Sequence, residues 1–176
     1  MKLLAISGSA RRDSTNTALL MAVKSLALAG VDVSVFHRLD TLPVFSPDLE
    51  GERTPAVVLD FLARIAEADG IVIASPEYVR AIPGGMKNAI DWMVSRFEII
   101  GKPIALAHAS HRGDEMLASL RVVLSTVSDG FLPDVFLRVP LVGKSVGDIE
   151  ALMREPEPAS QVVEFLSRFT AAIRGI

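Results

Sequence analysis

An apolar run, Leu3-Leu4-Ala5-Ile6, leads into Gly8-Ser9-Ala10-Arg11-Arg12-Asp13-Ser14-Thr15-Asn16-Thr17 and then into an amphipathic stretch. This order predicts a strand, a polar loop and the first turn of a helix. Backbone N–H groups at such a turn, together with the positive end of the helix dipole, favour a bound anion. The segment therefore predicts a phosphate site, with small hydroxyl and amide side chains as additional donors.

The composition of this loop limits the ligand. It lacks the Gly-Lys-Ser/Thr sequence that reaches β- and γ-phosphates, and it lacks the three-glycine spacing of a dinucleotide fold. A single terminal phosphate fits it better. Ser, Asn and Asp are also common caps and turn formers after strands, so this loop alone leaves a purely structural role open.

A second polar loop, Ser75-Pro76-Glu77-Tyr78-Val79-Arg80-Ala81-Ile82-Pro83-Gly84-Gly85, follows another apolar run at 71–74. Strand-like runs at about 2–7, 31–36, 70–75, 102–108 and 134–139 alternate with helical patterns along the chain. The last helix is expected at about 159–174, after a proline-containing turn at 154–158.

Short apolar strands that alternate with helices predict an α/β protein with a doubly wound parallel sheet of five strands and helices on both faces. If the strand order is 2-1-3-4-5, as expected for such a fold, both polar loops border the switch point where these folds bind ligands. The loop after the fourth strand, Ser110-His111-Arg112-Gly113, is expected to line the same crevice. The length suits one domain over residues 1–176.

Motifs in the first two loops resemble those of the NAD(P)H-dependent FMN reductase family of the flavodoxin-like superfamily, which includes quinone, chromate and azo-dye reductases. They are Gly8-Ser9-x-Arg11-x-x-Ser14-x-Asn16, then Pro76-Glu77-Tyr78 followed by Pro83-Gly84 and Lys87-Asn88-Ala89-Ile90-Asp91-Trp92. Their order and spacing agree with that family, and the predicted elements extend the resemblance over nearly the whole chain. The resemblance implies a flavodoxin-like fold, FMN as the cofactor, and NADPH or NADH as the reductant.

The resemblance also implies which residues hold FMN. Its phosphate would be bound by Ser9, Arg11, Ser14, Thr15, Asn16 and Thr17, and its ring would lie against Pro76, Glu77, Tyr78, Val79, Ser110 and His111. Val79 stands where many relatives have Asn, and the third loop lacks the usual Gly-Gly pair. His111 and Arg112 either place positive charge near the ring or form an exposed pair. No catalytic residue is implied, because the bound flavin carries the chemistry.

Composition argues against several other classes of function. Lys and Arg number 18 against 21 acidic residues, so the net charge of −3 offers no general attraction to nucleic acid or to an anionic membrane. The absence of cysteine rules out disulfides, thiolate nucleophiles and cysteine-ligated clusters. Three widely separated histidines predict no metal site. The chain shows neither a signal-peptide pattern nor a spanning apolar stretch, so cytoplasmic residence is the default expectation.

The implied activity is hydride transfer from NAD(P)H to FMN and then to a quinone, a chromate, an azo compound or a flavin. A noncatalytic FMN electron carrier and a phosphate-ligand-binding sensor remain alternatives. Electron carriers commonly place the ring between aromatic side chains, whereas Tyr78 is the only aromatic residue in the three loops, which favours an enzyme. The resemblance also implies a homodimer or homotetramer, to which Met86, Ile90, Trp92, Met93 and the helix near 114–128 are expected to contribute.

Overall fold

The fold is built around a parallel sheet, seen in a computed structural model that describes residues 1–175. Its strands are β1 Lys2–Ser7, β2 Asp32–Phe36, β3 Gly70–Ala74, β4 Ile104–His108 and β5 Phe131–Arg138. The strand order is β2-β1-β3-β4-β5, and each neighbouring pair is parallel. The predicted doubly wound topology and the order 2-1-3-4-5 are therefore confirmed.

Helices cover both faces of the sheet. They are α1 Thr15–Ser25, α2 Ala56–Glu67, α3 Gly84–Val94, α4 Asp114–Val127, α5 Val146–Leu152 and α6 Pro156–Gly175. Successive strand residues point to opposite faces, so Leu4 and Ile6 pack with α2, α3 and α4, while Leu3 and Ala5 pack with α1 and α6. Both faces of the central strands are buried, which is why these strands are almost continuously apolar.

The C-terminal part of the chain differs from the prediction. Helix α6 begins at Pro156, inside the predicted turn, because backbone N–H groups in the first turn have no helical partner and proline loses nothing there. Helix α5 was not predicted, although Ser145 and Asp148 form a capping box that marks its start. Strand β5 begins at Phe131, before the predicted 134, and accommodates Pro133 because it is an edge strand.

The Lys87–Trp92 motif anchors the segment that follows β2. The indole Nε1 of Trp92 donates to the Pro43 carbonyl oxygen at 2.8 Å, and Asn88 Oδ1 accepts from the Phe45 N–H at 2.8 Å. The Phe45 ring meets the Trp92 ring edge-on at 5.1 Å between centroids. This motif therefore stabilises the path of the chain between β2 and α2.

The expected role of α3 in subunit contacts is wrong for the side chains named for it. Met86, Ile90, Trp92 and Met93 are all buried in the core between the sheet and α2–α4. They fill the chain's own interior, so these four side chains are not available to contact another subunit. Among residues 1–175, no helix has the length and apolarity to cross a bilayer.

Candidate cofactor site

Three loops meet at the carboxyl ends of β1, β3 and β4, as the topology requires. They enclose a cavity of about 250 Å³. Its wall consists of Thr15, Asn16, Ser75, Pro76, Glu77, His108, Ala109, Ser110, Arg112, Gly113 and Val142. The first turn of α1 forms one side, and the second and third loops form the other.

The structure brings part of the predicted set to this cavity. The predicted residues in its wall are Thr15, Asn16, Pro76, Glu77 and Ser110. Ser9 is buried within the first loop, while Arg11, Tyr78, Val79 and His111 are exposed and lie outside the wall. Ser14 and Thr17 line a different cavity of about 800 Å³ beside α1, together with Arg12.

Internal hydrogen bonds hold the first loop in shape. Ser9 Oγ accepts from the Arg11 N–H at 3.2 Å, and Ser14 Oγ caps α1 by accepting from the Thr17 N–H at 3.3 Å. The Thr17 hydroxyl is hydrogen-bonded to Ser7 Oγ at 2.8 Å. No acidic residue lies in the first turn of α1, so no carboxylate within the turn offsets the positive end of this helix.

The first and second loops approach each other very closely at Gly8. Its N–H donates to the Ala74 carbonyl oxygen at 2.7 Å. A Cβ on Gly8 would lie 2.5 Å from Ser75 Oγ and 2.8 Å from Ser75 Cβ. Only glycine permits this contact, which explains the residue at the start of the first motif.

Three hydrogen-bond acceptors on residues that line the cavity have no partner among the described residues. They are Asn16 Oδ1, Glu77 Oε2 and His108 Nδ1, and all three atoms are buried. A buried acceptor without a donor is costly, so a ligand that supplies donors would be favoured here. FMN carries hydroxyl groups on its ribityl chain and an N–H on its ring, and it therefore fits the chemistry of this wall.

A hydrogen bond to the backbone defines the tautomer of the neutral His108 ring. Its Nε2 lies 2.5 Å from the Arg112 carbonyl oxygen, and because a carbonyl only accepts, Nε2 carries the proton and Nδ1 presents a lone pair. Burial lowers the pKa of His108 below its ordinary value, more than the Arg112 carbonyl oxygen raises it. The Gly113 backbone packs against this ring, where a Cβ would lie 3.1 Å from His108 Nε2.

The residues that the resemblance assigned to FMN include neither His108 nor Val142, although both line the cavity. Both positions carry a signal, since His108 is the last residue of β4 and Val142 follows β5, and ligands of such folds bind at the carboxyl ends of strands. The sequence did not indicate that both side chains reach the same wall.

The third loop brings one of its two basic side chains to the cavity. Arg112 lines the wall, and its Nε donates to His111 Nε2 at 3.2 Å. The Arg112 N–H also donates to Ser110 Oγ at 2.9 Å, which tightens the loop. Within residues 1–175, no three side chains of His, Asp or Glu are grouped so as to hold a metal ion.

The fold and the site together define a flavodoxin-like protein whose strand-end loops are suited to a phosphate-bearing cofactor. The sequence profile of the NADPH-dependent FMN reductase family matches residues 1–139. The chain belongs to this family, as the loop motifs predicted.

Individual relatives agree with this assignment. The quinone reductase of Escherichia coli K12 is 33% identical over 114 residues, which is 62% of this chain and 60% of that protein. The 2-hydroxy-1,4-benzoquinone reductase of a Burkholderia species is 41% identical over 92 residues, or 52% of this chain and 49% of that protein. These matches thus cover about half to three-fifths of the relatives' length.

A solved structure shares the fold over nearly its full length. The flavoenzyme NAD(P)H:(acceptor) oxidoreductase FerB of Paracoccus denitrificans superposes with a TM-score of 0.76 at 24% identity, covering 99% of this chain and 97% of that one. At this identity the likeness shows the fold alone.

Proposed function

We propose that this chain is an NAD(P)H-dependent oxidoreductase with FMN as its cofactor and a quinone as its electron acceptor. The observation that carries the proposal is the cavity at the ends of β1, β3 and β4, with its three buried acceptors that lack donors. Family membership and the two relatives named as quinone reductases support the class of reaction and of acceptor. Bound FMN supplies the hydride chemistry, and the protein supplies position and electrostatics.

The first loop is the proposed phosphate site. Ser9, Arg11, Ser14, Thr15, Asn16 and Thr17 are its proposed ligands. Its support is the acid-free first turn of α1 and the guanidinium of Arg11, which forms no ion pair within residues 1–175. A dianionic phosphate would be held by helix-end N–H groups and one cation.

The second and third loops are the proposed ring site, formed by Pro76, Glu77, Tyr78, Val79, Ser110 and His111. Pro76, Glu77 and Ser110 line the cavity, which supports their place in the ring site. His108 and Arg112 also line it and are added to the proposed ring site. Val79 has no polar side chain, so its contribution to the cofactor would be its backbone N–H. The guanidinium of Arg112 would stabilise negative charge on a ligand in the cavity.

Several finer points belong to the same proposal. Chromate, azo compounds and free flavins are further candidate acceptors, and either NADPH or NADH is a candidate reductant. Residues 1–176 are proposed to act as one FMN-binding domain that assembles as a homodimer or homotetramer. An FMN electron carrier or a phosphate-ligand sensor would share the first loop but would not oxidise NAD(P)H with a quinone.

Binding and turnover of the purified protein test the function directly. We expect flavin absorbance after reconstitution with FMN, tighter binding of FMN than of riboflavin, and steady-state oxidation of NADPH or NADH when 2-methyl-1,4-naphthoquinone is added. Equal affinity for FMN and riboflavin would remove the phosphate role of the first loop. FMN binding without NAD(P)H oxidation would favour the electron carrier.

A further inference from the structure

The tip of the second loop is a two-residue turn with an unusual backbone. Tyr78 and Ala81 pair in antiparallel fashion, with the Tyr78 N–H donating to the Ala81 carbonyl oxygen at 3.2 Å and the Ala81 N–H donating back at 3.0 Å. Between them, Val79 has a φ of 53° and Arg80 a φ of 59°. Positive φ at both central positions is typical of hairpin turns that carry Asn-Gly or Asp-Gly.

Neither residue suits this conformation. A β-branched side chain such as Val clashes with the neighbouring backbone in the left-handed region, where Asn and Gly are tolerated. Nothing compensates through packing, because Val79 is 98% exposed. Arg80 forms an ion pair with Glu115 at 3.7 Å, but both side chains lie largely in solvent, where such a pair contributes little.

The strained turn directly follows a residue of the cofactor-cavity wall. Glu77, just before the turn, is part of the cavity wall, as is Gly113 at the end of the third loop. The Arg80–Glu115 ion pair joins the turn to the first turn of α4, which begins directly after Gly113. Val79 therefore lies at the tip of the second loop, next in the chain to the half-exposed Tyr78 and to Arg80, which pairs with α4.

We propose that the Val79 side chain is a specificity-determining contact for an uncharged aromatic electron acceptor of the quinone class. The inference rests on the proposed function, because it concerns the substrate that follows NAD(P)H into the cavity mouth. An exposed isopropyl group provides neither charge nor hydrogen bonds, so it favours an acceptor whose apolar face it covers. Residues held in strained backbone conformations cluster at active sites and ligand-binding loops, which directs attention to Val79.

Two substitutions separate the side-chain contact from the backbone strain. Val79→Asn relieves the left-handed strain and removes the apolar group, whereas Val79→Ile keeps both. We expect V79N to raise the Tm by about 2–8 °C. We also expect it to raise KM for 2-methyl-1,4-naphthoquinone about three- to tenfold more than KM for ferricyanide, which has no apolar face. V79I should keep the wild-type ratio of the two KM values to within about twofold.

The exposed Val44 offers a matched control, since V44N removes an isopropyl group away from the cavity and should leave the ratio unchanged. If V79N reduces both acceptors and its ratio of the two KM values equals that of the wild type, the inference is wrong. The proposed function would still stand. A change in molecular mass on light scattering with no change in the ratio would also overturn it, by assigning Val79 to a subunit contact. Failure of the wild type to oxidise NAD(P)H with either acceptor would instead refute the proposed function, and the inference with it.

Discussion

Arg11 and Arg12 are neighbours with different surroundings. Arg12 lines the cavity of about 800 Å³ beside α1, together with Met21 and His37, whereas Arg11 borders neither that cavity nor the cofactor cavity. Only Arg11 matches the family motif. The two positions therefore offer a matched pair for testing the phosphate site.

Arg11→Ala should weaken FMN binding about 10- to 100-fold, because a charge-assisted hydrogen bond to phosphate contributes about 1.5–3 kcal/mol. Arg12→Ala should change the affinity less than about threefold. Fluorescence titration of apoprotein with FMN measures both values. Riboflavin serves as the control ligand, since it has no phosphate and should bind R11A and wild type alike. Equal losses of FMN affinity in R11A and R12A would argue against the assignment of Arg11.

Gly8→Ala should destabilise the protein by about 1–3 kcal/mol, since the new Cβ would overlap the Ser75 side chain and backbone. The first and second loops would be forced apart, so FMN affinity should fall as well. Gly84→Ala is a control at the start of α3, where an added Cβ meets nothing within 4 Å, and it should be neutral or slightly stabilising. Urea denaturation measures the free energies of unfolding, and equal values for G8A and G84A would contradict the close-packing argument.

At the scale of elements, His108 at the end of β4 makes the stability of the protein depend on pH. Its pKa is lowered from the ordinary value of 6.5, chiefly by burial, so the unfolded chain binds a proton more readily than the folded chain does. The contribution of His108 to stability is therefore fully present above pH 6.5 and is lost as the pH falls through the lowered pKa.

His108→Gln should reduce the loss of unfolding free energy between pH 7.5 and 5.5, whatever its effect at pH 7.5. The carboxyl group of Asp114 does not obscure this window, because its hydrogen bond from Arg138 lowers its pKa below 3.8. Urea denaturation at the two pH values gives the change in unfolding free energy with pH. His37→Gln, at an exposed site, is the control. A slope in H108Q as steep as in wild type would show that His108 does not set this dependence.

Short elements were the hardest to predict from the sequence. Helix α5 has 7 residues, too few for a clear apolar period, and only its capping box marks it. The buried strands were predicted because each is a nearly continuous apolar run, and the helices between them were predicted as a class from their apolar spacing.

For the molecule as a whole, burial of the four α3 side chains moves the candidate subunit contact to the C-terminal end of α3 and the segment just beyond it. Val94, Phe97 and Ile100 are exposed there, and Phe97 is 86% exposed. An apolar surface of this kind is what subunit interfaces bury.

Phe97→Glu should therefore raise the dissociation constant of a homodimer or homotetramer at least about tenfold, because a charge would enter an apolar contact. Light scattering over a range of concentrations measures it. Trp92→Phe is the contrasting variant, since it removes the Nε1–Pro43 hydrogen bond and should lower stability without changing the mass. A wild-type protein that is monomeric at every concentration would refute the assembly, and an unchanged mass in F97E would refute this surface.

The sequence by itself determined the α/β class, the five strands and the two loop motifs, because apolar periodicity and turn chemistry are local properties of the chain. The class of fold then led to the expected strand order. Tertiary structure alone decided which polar atoms are left without partners, that His108 and Arg112 share a wall with Glu77, and that Trp92 faces inward. It also decided that Val79 and Arg80 adopt positive φ, against their local preference. Burial and hydrogen-bond partners come from residues distant in the chain, and packing of the whole fold overrides local preference where the two conflict.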